Sequence, residues 1–320
     1  MKIPKELESL GIKKSQVISC VYGGNSQVFK VWIDDNNFRA YKIYLGDKAR
    51  ISKMYLREKV AIDFLNRNEI YGLPQNSQFF PSLYINSYDW IDGVTADHSS
   101  ESLEAIFLMI KQLNDLSKFN HKFENAVDYA FYLEDLLEQF PRKITKLELF
   151  PEQDKYLKEL DNRIEKFKAI YANDMPVFSK TLSLSDIGSH NVIKNGSTFT
   201  FIDFEFFGYD SNAKMIGDFI LHPKCKFLSS EVRKMYRDLF NSQKIDAELK
   251  MITPLLSLKW SLILASQIAK FEFGGSSINI DVQQVKWASY NYLKYFDYSL
   301  EEDGDLMSYN EFVITVDPSF

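Results

Sequence analysis

The chain has 320 residues, more than one hydrophobic core ordinarily carries, so two lobes are expected, each with its own buried apolar set. Phe and Tyr are abundant (26 and 18 residues) and the formal charge is −6 at pH 7, a balance that argues against nucleic-acid binding as a main role. The two cysteines, Cys20 and Cys225, are far apart and lack metal-ligand spacing, which argues for a reducing compartment and against both a disulfide framework and zinc; the four histidines are also scattered.

The N-terminal stretch MKIPKELESLGIKK contains no apolar signal-like run. No charge-free run reaches the length that spans a bilayer; the nearest, Met251 to Ala269, contains Pro254, Lys259 and Gln267 and reads as a buried helix. A cytoplasmic protein without membrane insertion is therefore expected. Residues 1–92 carry 13 Lys and Arg against 10 Asp and Glu, whereas the remainder carries 25 against 34. That acidic excess suits either a cationic substrate or a solvated surface.

Residues 17–44 alternate in a strand-like way, as VISCVYGG, SQVFKVWI and, after DDNN, FRAYKIY, which predicts three strands joined by tight turns. The turn between the first two is Gly23-Gly24-Asn25-Ser26, where glycine lets backbone amides approach a ligand closely. Lys42 interrupts an apolar strand, where packing alone gives a lysine no place; an edge-strand lysine facing water is the bland alternative. Ile51 to Asn66 predicts a helix with Met54, Val60, Ala61, Phe64 and Leu65 as its apolar positions and Glu58 in its middle. PSLYINSYDWIDG then reads as two further strands that complete a five-stranded sheet and end near Trp90, Ile91, Asp92 and Gly93, the last a candidate hinge.

From Asp97 the pattern becomes helical. Leu103, Ile106, Phe107, Ile110, Leu113 and Leu116 follow a 3.6-residue period behind a cap at Ser100. Ala126 to Phe140 and Glu152 to Tyr171 predict two more helices, and helical regions are also predicted from Gly217, over Ser229 to Asn241, Ala247 to Phe271 and Val282 to Leu300. Between them lies FSKTLSLSDIGSHNVIKNGSTFTFIDFEFFGYD, residues 178–210, read as two short strands about a turn at Lys194-Asn195-Gly196-Ser197. Asp186 precedes the first strand, Asn191 leads into it, and Asp203 ends the second. Two Asp and one Asn from the ends of one hairpin make an oxygen-rich set suited to magnesium on a phosphate chain, with one carboxylate left for a hydroxyl proton.

Taken together, these parts resemble the small-molecule branch of the protein-kinase-like fold, the aminoglycoside phosphotransferases and the choline or ethanolamine kinases. The family's H-G-D-x-x-x-x-N loop is matched by Leu184-Ser185-Asp186 and Asn191, with the Asp-to-Asn spacing kept, and its I-D-F/W-E motif by Ile202-Asp203-Phe204-Glu205. The glycine turn, Lys42, Glu58 and Asp218 follow in the family's order, so the resemblance spans roughly residues 15–225. It implies an α+β bilobal fold. Residues 1–92 would form a small nucleotide-binding lobe, a five-stranded antiparallel sheet with one helix, and residues 93–320 a larger, mainly helical catalytic and acceptor-binding lobe.

The resemblance further implies ATP and Mg2+ as cofactors. Asp186 would orient or accept the proton of the acceptor hydroxyl, and Asn191 and Asp203 would hold the metal. Lys42, positioned by Glu58, would reach the nucleotide phosphates, which Gly23, Gly24, Asn25 and Ser26 would cover, with Trp90 and Ile91 also lining the nucleotide site. Asp218 would brace the fold, and Glu205 would support the metal or face solvent. The expected reaction is phosphoryl transfer to a hydroxyl of a small molecule, a sugar or an amino alcohol, with surface-polysaccharide metabolism as a possible setting. Choline or ethanolamine, which would want an aromatic cage such as Trp260, Trp287, Tyr290, Tyr292, Tyr295 and Phe296 might build, and aminoglycosides are the alternative acceptors. Leu184 and Ser185 depart from the motif's His and Gly, and this keeps a catalytically degenerate nucleotide-binding scaffold as the second reading. A protein kinase is disfavoured by Phe204-Glu205 in place of Phe-Gly. Oligomeric state is not legible.

Overall fold

The computed structural model describes residues 3–273 except 24, 35–36, 120–121, 146–157, 159–160, 163, 167, 170–176, 223 and 226. The chain divides into two compact units, residues 1–112 with 189–208, and residues 113–188 with 209–320. The first unit thus continues past residue 92 and recovers the hairpin that follows Gly188.

In the first unit, β1 (Val17–Tyr22), β2 (Ser26–Asp34), β3 (Asn37–Tyr44), β4 (Gln78–Phe80) and β5 (Ile85–Asp89) form one antiparallel sheet in the order β1-β2-β3-β5-β4. The alternation that predicted β1 to β3 is the pleat itself: Phe29, Val31, Tyr41 and Ile43 gather with Ile85, Leu7 and Ile12 in one core on a single face. Leu7 belongs to a short helix, α1 (Lys5–Ser9). β3 is central, so Lys42 is not an edge lysine. The two strands expected within residues 81–93 are displaced: Pro81 to Tyr84 make the turn between β4 and β5, with Tyr84 in left-handed backbone at φ +51°.

Helix α2 (Lys48–Arg67) starts at Asp47, whose Oδ1 accepts the Arg50 N–H at 2.9 Å. It buries Met54, Tyr55, Glu58, Ala61, Ile62 and Leu65, while Val60, expected on this face, is 46% exposed. Glu58 therefore occupies a position of the apolar stripe. Tyr55 makes edge contacts with Tyr44, Phe79 and Tyr84, which fix the helix to the second face of the sheet.

Strands β6 (Val94–Thr95), β8 (Val192–Asn195) and β9 (Thr198–Phe201) form a second sheet in the order β6-β8-β9. The Phe201 N–H donates to the Gly72 carbonyl at 2.8 Å and fastens this hairpin to the loop after α2. Gly93 has φ +151°, and a Cβ there would overlap the Lys194 carbonyl oxygen and approach Ile193 Cγ2 at 2.9 Å. The residue is a glycine because β8 passes against its backbone. Helix α3 (Ser100–Ser117) begins the helical part of the chain, capped by Ser99 rather than Ser100: the Ser102 N–H donates to Ser99 Oγ, which itself donates to Asp97.

The second unit pairs β7 (Lys180–Ser183) with β10 (Gly208–Ser211) and surrounds them with α4 (Leu133–Leu137), α5 (Phe140–Ile144), α6 (Asn212–Leu221), α7 (Ser229–Phe240) and α8 (Lys244–Phe273). The single helix expected over residues 126–140 is instead a loop followed by α4 and the start of α5. The Ala126 N–H donates to the Tyr209 carbonyl and the Ala130 N–H to Asp210 Oδ1, so β10 takes the bonds a helix would have used. Helix α6 starts at Asn212, capped by Ser211, and not at Gly217; Gly217 lies mid-helix because Leu256 Cδ1 would stand 2.5 Å from a Cβ there. Of the helix expected at 152–171 the described residues 158, 161–162, 164–166 and 168–169 are helical, and that expected at 282–300 lies outside the described residues. By length and composition α8 could cross a membrane over Lys244–Ser266, but 72% of its most apolar window is buried in the fold, as in a core helix.

Helices α6 and α8 are joined by a buried charge network. Lys259 Nζ lies 2.6 and 2.7 Å from the two oxygens of Asp218, Lys214 Nζ lies 3.0 Å from Asp218 and 2.8 Å from Asp210, and Trp260 Nε1 donates to Asp218 Oδ1 at 3.0 Å. Asp218 is thus a structural brace. Burial, with Lys214 and Lys143 nearby, pushes Lys259 down to about 8 against the pull of Asp218 and Asp128.

Two outcomes are expected. Gly93→Ala should cost at least about 2 kcal/mol, read as a lower Tm, because the new methyl meets backbone and the φ disfavours an L residue. Since the Lys259 amine is held below its ordinary 10.5 in the fold, its folded state sheds the proton first, so its contribution should rise with pH between about 8 and 10.5. Denaturant melts at pH 7 and pH 10 should show wild type gaining on Lys259→Met by on the order of 1–3 kcal/mol; the opposite trend would mean that the pair with Asp218 outweighs burial.

Candidate functional site

The first unit gathers four of the residues singled out above around one ammonium. β3 presents Lys42 and Tyr44 on one face, and register pairs Lys42 with Asn86 on β5. Lys42 Nζ lies 2.6 Å from Glu58 Oε2, 2.6 Å from Asp203 Oδ1 and 3.0 Å from Glu205 Oε2, and Lys42 is 3% exposed. Glu58 is held independently. Tyr44 Oη donates to its Oε2 at 2.8 Å and Asn86 Nδ2 to its Oε1 at 3.1 Å, which fixes both carboxylate oxygens. Tyr44 and Asn86 were not read from the sequence as site residues; the signal was a Tyr two residues from Lys42 on the same face and an Asn between Ile85 and Ser87 in β5.

Burial alone would lower the Lys42 amine, but Asp203 and Glu58, with smaller help from Tyr44 and Glu205, hold it well above its ordinary value. Glu205 contrasts with it. It is 1% exposed, its approach to Lys42 lacks hydrogen-bond alignment, and neither carboxylate oxygen has a hydrogen-bond donor. Burial pushes it up to about 7 against the pull of Lys42, with Asp203 and Glu58 adding to the rise. Three carboxylates converge on one ammonium, and ligand oxygens of Glu58, Asp203 and Glu205 lie within 4.8 Å of one another. When all are ionised, two negative charges are in excess, a hard oxygen set whose charge a divalent cation would match.

The segment carrying Asp203 is tightly held. The Ile202 N–H donates to the Asn191 carbonyl at 2.9 Å, so Asn191, entering β8, and Asp203, leaving β9, stand at the same open end of the hairpin. Phe204 and Phe207 are buried, and Arg57 of α2 donates to the Phe207 carbonyl at 2.8 Å. Asp203 has φ +69°, left-handed backbone that costs an L residue about 1 kcal/mol and that Asp tolerates better than most.

Among the residues assigned to the nucleotide, the Gly23 N–H donates to the Ser26 carbonyl at 2.8 Å, and Ser26 begins β2. Asn25 receives the Leu45 N–H on its carbonyl and Arg50 Nη2 on Oδ1, which ties the turn to the start of α2. Gly24 lies outside the described residues. The Trp90 N–H donates to the Phe38 carbonyl, its indole Nε1 to Asp92, and Lys30 Nζ stands 4.8 Å from its ring centroid; Ile91 follows, half-buried.

Asp186 belongs to the second unit, on a tight turn after β7. The Ser185 N–H donates to Ser183 Oγ at 2.8 Å, Ser185 Oγ donates to the Val127 carbonyl at 3.2 Å, and the Asp186 N–H donates to the Leu184 carbonyl at 2.8 Å. Ser185 has φ +65°, the conformation that explains a glycine at this place in the family motif; here two hydrogen bonds offset the strain. Leu184, where that motif has histidine, is 2% exposed and secures the turn by packing. Of the late aromatics only Trp260 lies among the described residues, and it is engaged with Asp218.

No protein-family model matches the sequence, and no curated protein matches it. Solved structures do match in fold. Choline kinase LicA from Streptococcus pneumoniae aligns over 92% of this chain and 96% of its own with a TM-score of 0.63 at 15% identity. The ADP-bound aminoglycoside phosphotransferase APH(2″)-Ib aligns over 90% and 96%, with a TM-score of 0.58 at 17% identity. An amicoumacin kinase in complex with AMP-PNP and Ca2+ aligns over 91% and 92%, with a TM-score of 0.59 at 12% identity. The chain therefore has the α+β, protein-kinase-like fold that aminoglycoside phosphotransferases and choline kinases share.

Proposed function

We propose that the protein is a cytoplasmic phosphotransferase that moves the γ-phosphoryl group of ATP, with Mg2+, to a hydroxyl of a small molecule, a sugar or an amino alcohol. The observation that carries this reading is Lys42, buried and held by Glu58, Asp203 and Glu205. A lysine fixed in this way is poised to exchange part of its carboxylate contact for phosphate oxygens. The structural neighbours include proteins described as an ADP-bound aminoglycoside phosphotransferase, a choline kinase and an amicoumacin kinase, all of which act on small molecules.

The residues present fit a divalent metal: three carboxylates, Glu58, Asp203 and Glu205, converge on the single ammonium of Lys42 and supply hard oxygen ligands with negative charge in excess. Asn191 and Asp203 would hold the metal, which would neutralise charge on the phosphate chain. Lys42, positioned by Glu58, would take the nucleotide phosphates. The turn at Gly23, Gly24, Asn25 and Ser26 would cover them, and Trp90 with Ile91 would border the nucleotide. Asp186 would orient the acceptor hydroxyl and receive its proton. Against a degenerate scaffold stands the catalytic-loop geometry. Ser185 adopts the left-handed conformation that the motif's glycine serves, and Leu184 fills its site by packing.

ATP consumption with Mg2+ against sugars, amino alcohols and aminoglycosides should reveal turnover with one acceptor class. Asp186→Asn should lower kcat by at least about 100-fold while nucleotide still raises Tm; retention of full activity would remove Asp186 from the chemistry. Lys42→Met should weaken nucleotide binding at least about tenfold by calorimetry and lower stability, because it leaves the buried Glu58 and Glu205 and the partly exposed Asp203 without their cation. An unchanged nucleotide affinity would mean that Lys42 serves the fold alone.

A further inference from the structure

Arg50 has a charge that α2 does not need. The first turn of that helix carries Lys48 and Arg50 and no acidic residue, so two cations lie at the positive end of the helix dipole. The Arg50 N–H takes the Asp47 cap, but any residue except proline would supply that donor. The side chain serves another segment. Its methylene stem passes over Gly46, which has φ +136° and where a Cβ would stand 3.0 Å from Arg50 Cδ, and the guanidinium Nη2 donates to Asn25 Oδ1 at 2.5 Å. Asn25 is held through its backbone as well, because its carbonyl accepts the Leu45 N–H at 2.7 Å.

The Arg50 contact settles the orientation of the Asn25 amide. A guanidinium has five N–H donors and no acceptor, so the amide atom that meets it is the oxygen. Nδ2 is thereby turned away from Arg50, and among the described residues it donates to no partner.

We propose that Arg50 is a positioning residue for nucleotide binding: by occupying Oδ1 of Asn25 it leaves the two N–H donors of the amide as the group that the turn offers to phosphate oxygens. The inference rests on the reading of residues 23–26 as the turn that covers the phosphates. Phosphate oxygens accept hydrogen bonds, so an amide serves them with its nitrogen and opposes them with its oxygen. Oxygen and NH2 are close in size, and packing alone selects poorly between the two orientations. A donor-only partner on one side makes that selection by chemistry.

Calorimetric titration of the full-length protein with AMP-PNP and Mg2+ tests this without turnover. Arg50→Met and Asn25→Ala should each weaken binding by about three- to tenfold, the worth of one or two hydrogen bonds. The double variant should match Asn25→Ala, since Arg50 acts through that side chain. Asn25→Asp should be weaker than Asn25→Ala, because Arg50 would hold one carboxylate oxygen while the other met the phosphates. Arg50→Lys keeps a donor-only group and should recover part of the loss. Lys48→Met removes the same charge from the same turn and should cost less than Arg50→Met. Tm without nucleotide should stay unchanged in the Arg50 variants, whose side chain is exposed. Additive losses in the double variant, Asn25→Asp binding as well as Asn25→Ala, equal losses from Lys48→Met and Arg50→Met, or a loss that follows Tm would overturn the proposal. Wild type that fails to bind AMP-PNP would remove the nucleotide reading and this role with it. Wild type that binds while Arg50→Met is unaltered would strike the positioning role alone.

Discussion

The structure of the first unit depends on satisfying a lysine that has been taken out of water. An ammonium buried in the middle of a sheet is unstable unless carboxylates reach it with good geometry, and a pair broken on one side leaves a buried charge uncompensated. Lys42 receives one carboxylate from α2 and two from the segment after β9. Elements more than a hundred residues apart in sequence must therefore arrive at one point. The tyrosine hydroxyl and asparagine amide that grip Glu58 show how strictly that point is set: they occupy the oxygens of the one carboxylate that belongs to the scaffold. Asp203 is 30% exposed at its side chain, and Glu205 meets the ammonium at the longer distance of 3.0 Å. The arrangement separates a fixed partner from exchangeable ones, as a lysine that must trade carboxylate for phosphate requires.

Backbone strain follows the same logic. Ser185 and Asp203 both have left-handed φ, at +65° and +69°, and each lies on a loop that presents a candidate acidic group. Strained conformations persist where the surroundings over-determine them. Around Ser185 the fixing contacts are its own amide and hydroxyl; around Asp203 they are Phe204 and Phe207 in the core and the Arg57 hydrogen bond. Neither loop relies on glycine, so rigidity rather than permissiveness shapes both.

The same contrast explains what the sequence could and could not reveal. β1 to β3 were legible because their alternation reports a half-covered sheet, and Lys42 because it places a charge where packing alone would choose an apolar residue; Glu58 and Asp203 were read through their order and motif spacing. Residues 126–140 misled for the opposite reason. Ala126, Ala130, Leu133 and Phe140 are buried at helical spacing, yet the backbone of the first half bonds to β10, and a long-range ladder leaves no trace in local periodicity. The displacement of β4 and β5 has a local cause: Pro81 and the left-handed Tyr84 turn the chain inside a stretch whose composition alone reads as strand.

The acidic excess of the second part of the chain takes on a different meaning once its partners are known. Asp210 is matched by Lys214, Asp218 by Lys214 and Lys259, and Asp128 by Arg142 and Lys143. Among the described residues these aspartates neutralise buried lysines and position helices; they offer little charge to an incoming polycation. An acceptor that drew on these three aspartates would have to displace lysines from pairs whose separation leaves charge buried on both sides, at a cost of several kcal/mol each. A neutral acceptor read through directed hydrogen bonds meets no such penalty.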